Sequence, residues 1–117
     1  MRLADFYTNI KTQLKSDGIT VIFRQPTTDD SLPLVQVGVH TDSDASTKFG
    51  PELNEVEQQI DVWTENVSVI EFEEYVRQVK LSLSKCVRWQ SLTVQTMIDE
   101  SIGRDLRRAL FLMTITI

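Results

Sequence analysis

The stretch EVEQQIDVWTENVSVIEFEEYVRQVKLSLSK, residues 55–85, decides the fold. In its first part Val56, Ile60 and Val62 share one parity, with Glu55, Glu57, Gln59 and Asp61 between them, the pattern of a strand with one buried face. Glu65-Asn66 supplies turn chemistry. Ser68 then stands three positions before Glu71, the spacing at which a hydroxyl and a carboxylate each satisfy an unpaired backbone N–H at a helix start. Phe72, Val76, Val79 and Leu83 follow at helical spacing and line one face, while Glu74, Gln78, Lys85 and the Glu73/Arg77 pair keep the other face in water. The spacing predicts a half-buried strand over Glu55–Trp63 that feeds an amphipathic helix over Ser68–Lys85.

Upstream, Leu3, Phe6, Ile10 and Leu14 mark an opening amphipathic helix, with Asp5 in its first turn and Lys15 in its last, where each sign suits the helix dipole. Asp17-Gly18 stops it. Ile19, Val21 and Phe23 alternate with Thr20 and Arg24 as a short strand that ends in the polar cluster Pro26-Thr27-Thr28-Asp29-Asp30. From Pro33 to His40 a second strand is expected, with Val35, Val37 and Val39 inward and Gln36, Gly38 and His40 outward. Residues 41–54 carry Asp, Ser, Thr, Gly and Pro with no period, and read as a long polar surface loop.

Downstream, Leu92, Val94, Thr96 and Ile98 predict a fourth strand, and Asp99–Asp105 a turn or short helical piece. The last strand, Arg107–Ile117, carries Leu110, Phe111, Leu112 and Met113 in a row, which puts apolar groups on both faces. The order is α-β-β-β-α-β-β in a single domain, 1–117. That order predicts an α+β fold: a mainly antiparallel sheet of about five strands with two helices on one face. Large apolar residues of opposite parity, Trp63, Met97 and Phe111 or Leu110, then point away from the helices, to be covered by the chain's own loops or by another subunit; in the second case Trp63, Met97, Phe111 and Met113 are the candidate subunit interface.

Composition excludes several classes. The 117 residues carry 12 Lys+Arg and 17 Asp+Glu, a net charge of −5, which argues against nucleic acid or anionic membrane held by bulk electrostatics. The lone cysteine, Cys86, permits no intramolecular disulfide. No apolar run approaches the roughly 18 residues of a membrane span, and the first residues lack the apolar run of a secretory leader, so synthesis in the cytoplasm is expected.

Catalytic chemistry is equally thin. His40 has no cysteine or serine at a motif spacing, and Cys86, on the last turn of its helix, reads as a small core residue. Asp42-Ser43-Asp44-Ala45-Ser46 opens like a calcium loop, but the sixth position is Thr47 and the twelfth is Leu53, so neither metal nor cofactor is expected. Asp42, Asp44, Lys48, Arg104, Arg107 and Arg108 remain as candidate partner-facing or channel-facing charges, against the plainer reading of solvated surface.

The layout resembles the tail terminator, or tail completion, family of long-tailed bacteriophages. The resemblance rests on the opening helix Leu3–Leu14, the strand pair around Ile19–His40, the polar loop, the Glu55–Trp63 strand into the Ser68–Lys85 helix, and the closing strand Arg107–Ile117. It implies a non-enzymatic virion protein, assembled in the host cytoplasm into a ring of six copies. The ring would close the head-proximal end of the tail tube, contact the major tail tube protein and the head–tail connector protein, and let DNA pass without sequence-specific binding. The alternative is a head–tail connector or head completion protein of the phage neck. A third reading, a small ligand-binding or enzymatic domain with residues 41–54 as a lid, lacks any paired nucleophile and base.

Overall fold

The computed structural model describes residues 2–44 and 54–117. In chain order the elements are α1 (Leu3–Ser16), β1 (Val21–Ile22), β2 (Leu34–Asp44), β3 (Asn54–Glu65), α2 (Val69–Ser84), β4 (Ser91–Asp99) and β5 (Leu106–Thr116). The strands form one sheet ordered β1-β2-β3-β5-β4. All pairings are antiparallel except β1 with β2, which runs parallel at Val21↔Val35 and Ile22↔Gln36. The expected α+β architecture and element order are therefore present.

Both helices lie on one face of the sheet. Phe6, Ile10 and Leu14 of α1 and Phe72, Val76, Val79 and Leu83 of α2 pack in one cluster with Val35, Val56, Ile60, Val62, Ala109, Phe111, Met113 and Ile115. The Ser68 half of the expected α2 cap forms: Ser68 Oγ accepts from the backbone N–H of Glu71 at 3.1 Å, satisfying one donor of the first turn. At the other end of the helix pair, Asp17 caps α1 and reaches α2. Its carboxylate accepts from Ser82 Oγ at 2.6 Å, from Gln13 Nε2 at 3.1 Å and from Lys85 Nζ at 3.2 Å. Those donors hold its pKa down at about 2.

Three expectations are corrected. The first concerns β2, where Val37 pairs with Ile60 but His40 pairs with Gln58, so one extra residue is inserted. This bulge reverses the parity: Val39, expected inward, is 74% exposed, and His40, expected outward, turns to the helix side and meets Tyr7 Oη at 3.0 Å. Gln58 mends the ladder. Fully buried in an otherwise apolar row, it donates through Nε2 to the carbonyls of Gly38 (3.0 Å), Val39 (3.3 Å) and Gln59 (2.8 Å), and its Oε1 accepts from Tyr7 Oη at 2.8 Å. Because the one hydroxyl hydrogen of Tyr7 goes to Gln58, Tyr7 Oη is left to accept from His40 Nδ1.

The second correction shortens the polar loop. Thr41–Asp44 continues β2 and pairs with Asn54–Glu57, so strand geometry covers both ends of the span read as loop. Residues 45–53, including Lys48, lie outside the described residues, as does the side chain of Asp44.

The third concerns the double-sided apolar run of β5. Phe111 and Met113 are fully buried on the helix side, and Leu110 and Leu112 take the opposite face. Phe111 and Met113 thus belong to the helix-side core and offer no surface to a neighbouring subunit. Trp63 does lie on the face away from the helices, but it too is fully buried, in a second cluster with Leu34 and Leu106. Of the four candidate interface residues, Met97 alone keeps exposed surface, being half-buried.

Candidate assembly surface

The sheet face away from the helices is built around Arg108. Register places Trp63 directly beside it on β3, and the guanidinium lies 4.8 Å from the indole centre. Arg108 Nη2 donates to Asp61 Oδ2 at 3.1 Å and Nη1 to Asp99 Oδ2 at 2.8 Å, which joins β3, β5 and β4. The Trp63 indole N–H donates to Gln36 Oε1 at 3.1 Å, and Gln36 Nε2 to Gln25 Oε1 at 3.3 Å, which carries the network across β2. Burial alone would lower the pKa of Arg108, but the two carboxylates outweigh it and hold it above its ordinary value. Burial likewise pushes Asp99 up, but hydrogen bonds that it accepts from Ser101 and from Arg108 bring it below its ordinary value.

Beside this network is an open cleft of about 370 Å³, lined by Phe23, Arg24, Gln36, Gly38, Gln59 and Asp61 among others. The segment forming its rim is braced by a two-pronged contact from Arg24 to Asp30, at 2.8 and 2.7 Å. Among the described residues the cleft lining holds amides, charges and apolar groups but no serine, cysteine or histidine. The chain's one histidine is tied to Tyr7, and burial, then the nearby Asp17 charge, pushes the Cys86 thiol up, away from the reactive thiolate. Among the described residues no group of His, Cys, Asp or Glu is arranged to hold a metal ion, and no helix is long and apolar enough to cross a membrane.

The three arginines singled out by their clustering are occupied within the chain. Arg108 anchors the network above. Arg107 donates through Nε to the Val67 carbonyl at 2.7 Å, with its guanidinium 6.0 Å from the Phe72 ring centre, and so fixes the lead into α2. Arg104 pairs with Glu65 at 3.1 Å and remains partly exposed. Asp42 is exposed on β2. What parity reasoning missed is recoverable from the sequence: counting back by twos from Ile115 reaches Met113, Phe111 and Ala109, the helix-side row.

Exposed apolar groups lie near both edges of the sheet: Phe23 (45%) and Val39 (74%) beside β1 and β2, and a second group at β4. The helices cover β2, β3 and β5 and stop short of this edge, so its helix-side row, Leu92, Val94, Thr96 and Ile98, is only partly covered: Val94 is 38% and Ile98 50% exposed. Ile98 stands opposite Arg107, which holds Val67 just ahead of the first turn of α2, where Val69 is 57% and Ile70 82% exposed. On the other face Leu112, next to β4 through its pair Thr93, is 44% exposed. Exposed apolar groups thus bracket the free edge on both sides, an arrangement that fits a surface made to be covered.

The sequence matches no protein-family model and no curated protein. Among solved structures the fold is similar to that of a chain of the "Virion of native gene transfer agent (GTA) particle", at 16% identity and a TM-score of 0.59 over 93% of this chain and 88% of that one. At that identity the likeness is one of fold.

Proposed function

We propose that this chain is a structural virion component that assembles side by side into a ring closing the head-proximal end of a phage tail tube, where it joins the tube to the head connector. The observation that carries the reading is the fold shared, over nearly the whole of both chains, with a chain of a phage-like virion particle. The surface supports it in physical terms. A closed ring of identical subunits needs two different complementary patches on each copy, and the two ends of this sheet differ in their strands, β4 at one and the short β1 beside β2 at the other, with exposed apolar groups near each. The net charge of −5 suits a passage through which DNA slides, because a basic lumen would hold the phosphates. Met97 and the partly exposed Arg104 remain available at the β4 end for contacts between subunits or with the tube.

Negative-stain electron microscopy of concentrated protein, alone and mixed with purified tail tubes, tests the proposal. Rings with a central channel, or caps on one tube end, are expected. A protein that stays monomeric at every concentration and leaves tube ends bare would overturn it. Caps that form on connectors and not on tubes would instead assign the chain to the neck.

A further inference from the structure

We infer that the β4 edge of one copy pairs, antiparallel, with the outer edge of β2, His40–Asp44, of the next copy, continuing the sheet from subunit to subunit. This rests on the ring reading above and specifies its joint.

Among the described residues strand β4 is a free edge without the usual protection. From Ser91 to Ile98 it contains no charged residue and no proline, it pairs with β5 without a bulge, and none of its residues is buried. Edge strands of that composition template the addition of another strand unless something covers them. The opposite side of the sheet offers the matching edge. There β1 pairs with β2 only at Val35 and Gln36, so among the described residues His40–Asp44 has no strand on its outer side.

Polarity and charge select antiparallel pairing between copies. Three successive antiparallel steps, β2 to β3 to β5 to β4, make β4 run opposite to β2. Copies related by rotation about an axis along the strands keep their strand directions, so β4 of one meets β2 of the next antiparallel. That alignment sets the start of β4, preceded by the exposed Arg88, beside the far end of β2, where Asp42 is exposed. Neither side chain has an ion-pair partner among the described residues.

Disulfide trapping tests the joint. In a Cys86→Ser background, Thr41→Cys is combined in turn with Ser91→Cys, Thr93→Cys or Gln95→Cys, which share the sheet face of Thr41 by register, Ser91 being level with it. Within one chain these positions are three strand spacings apart, about 14 Å, too far for a disulfide. Any bridge therefore joins two copies. After diamide oxidation, at least one pairing is expected to convert most of the protein to a ladder of covalent oligomers, while Thr41→Cys with Val94→Cys, on opposite faces, gives none. The same samples are viewed by microscopy. Rings with no cross-link from any same-face pair would overturn the edge pairing and leave the ring reading standing. Cross-linked open chains without rings would uphold the pairing and sink the ring. Neither rings nor cross-links would overturn both.

Discussion

Replacing Arg108 by methionine keeps an apolar stem over Trp63 while removing the guanidinium that pairs with Asp61 and Asp99. The Asp61 side chain is only 1% accessible and Asp99 11%, so the loss strands one carboxylate in the interior and a second near it. Breaking a buried pair from one side costs about 3–5 kcal/mol. Asp61 Oδ1 and Arg108 Nε lack partners even in the intact network, so the pairing is less than ideal and the lower figure, about 3 kcal/mol, is expected. For a domain of this size that is a large share of a total stability of about 5–15 kcal/mol, and it corresponds to a fall in Tm of about 12 °C. Urea unfolding at neutral pH, followed by circular dichroism, measures it. The decisive comparison is the double variant Arg108→Met with Asp61→Leu, in which no charge is stranded at the centre. It is expected to recover most of the loss, because well-packed apolar replacements of buried pairs are often neutral or stabilising. A single variant within about 1 kcal/mol of the parent, or a double variant no better than the single, would refute the account of this face as a network held by charge.

Other perturbations give distinct readouts. Gln58→Leu keeps the volume but strips the cap from the Gly38 and Val39 carbonyls and the acceptor of Tyr7, and a loss of about 1–3 kcal/mol is expected in the same assay. Phe111→Ala should cost about 3–5 kcal/mol, since the side chain is fully buried beneath the helices; a loss under about 1 kcal/mol would contradict its place in the core. Asp17 has a folded-state pKa lowered to about 2 from an ordinary 3.8, so its contribution is fully present above about pH 4 and disappears as the pH falls toward 2. Thermal melts between pH 5 and 2 should therefore show a steeper loss for the parent than for Asp17→Asn, and parallel curves would refute the clamp.

The parts of this fold that the sequence announces are those with an unbroken period. α2 shows Phe72, Val76, Val79 and Leu83 and its N-cap Ser68 in plain spacing, and the structure buries the four apolar residues and forms the cap. β2 is less legible because a bulge changes parity without changing composition; Gly38, an isolated glycine inside a valine alternation, is the one local sign of it. The run Leu110–Met113 fits either parity read alone, and only the alternation beyond it, at Ile115, settles which side chains enter the core. Strand order is not written locally at all. That β4 rather than β5 ends the sheet depends on which pairings cover the most apolar surface, and the candidate interface shifts with it from Phe111 and Met113 to Val94 and Ile98. The partners of Arg108 come from strands 47 and 9 residues away along the chain, a separation no motif spans.

The position of Trp63 gives the molecule an internal optical gauge. Its indole is shut away from solvent, donates to Gln36 and faces a guanidinium, whereas the only other tryptophan, Trp89, is half-buried against the opposite, helix-side cluster. The two fluorophores therefore report on different faces of one sheet. Emission from Trp63 follows the polarity and quenching set by the charged network, and a ligand or subunit that rearranges that face alters its wavelength and lifetime while leaving the Trp89 component unchanged.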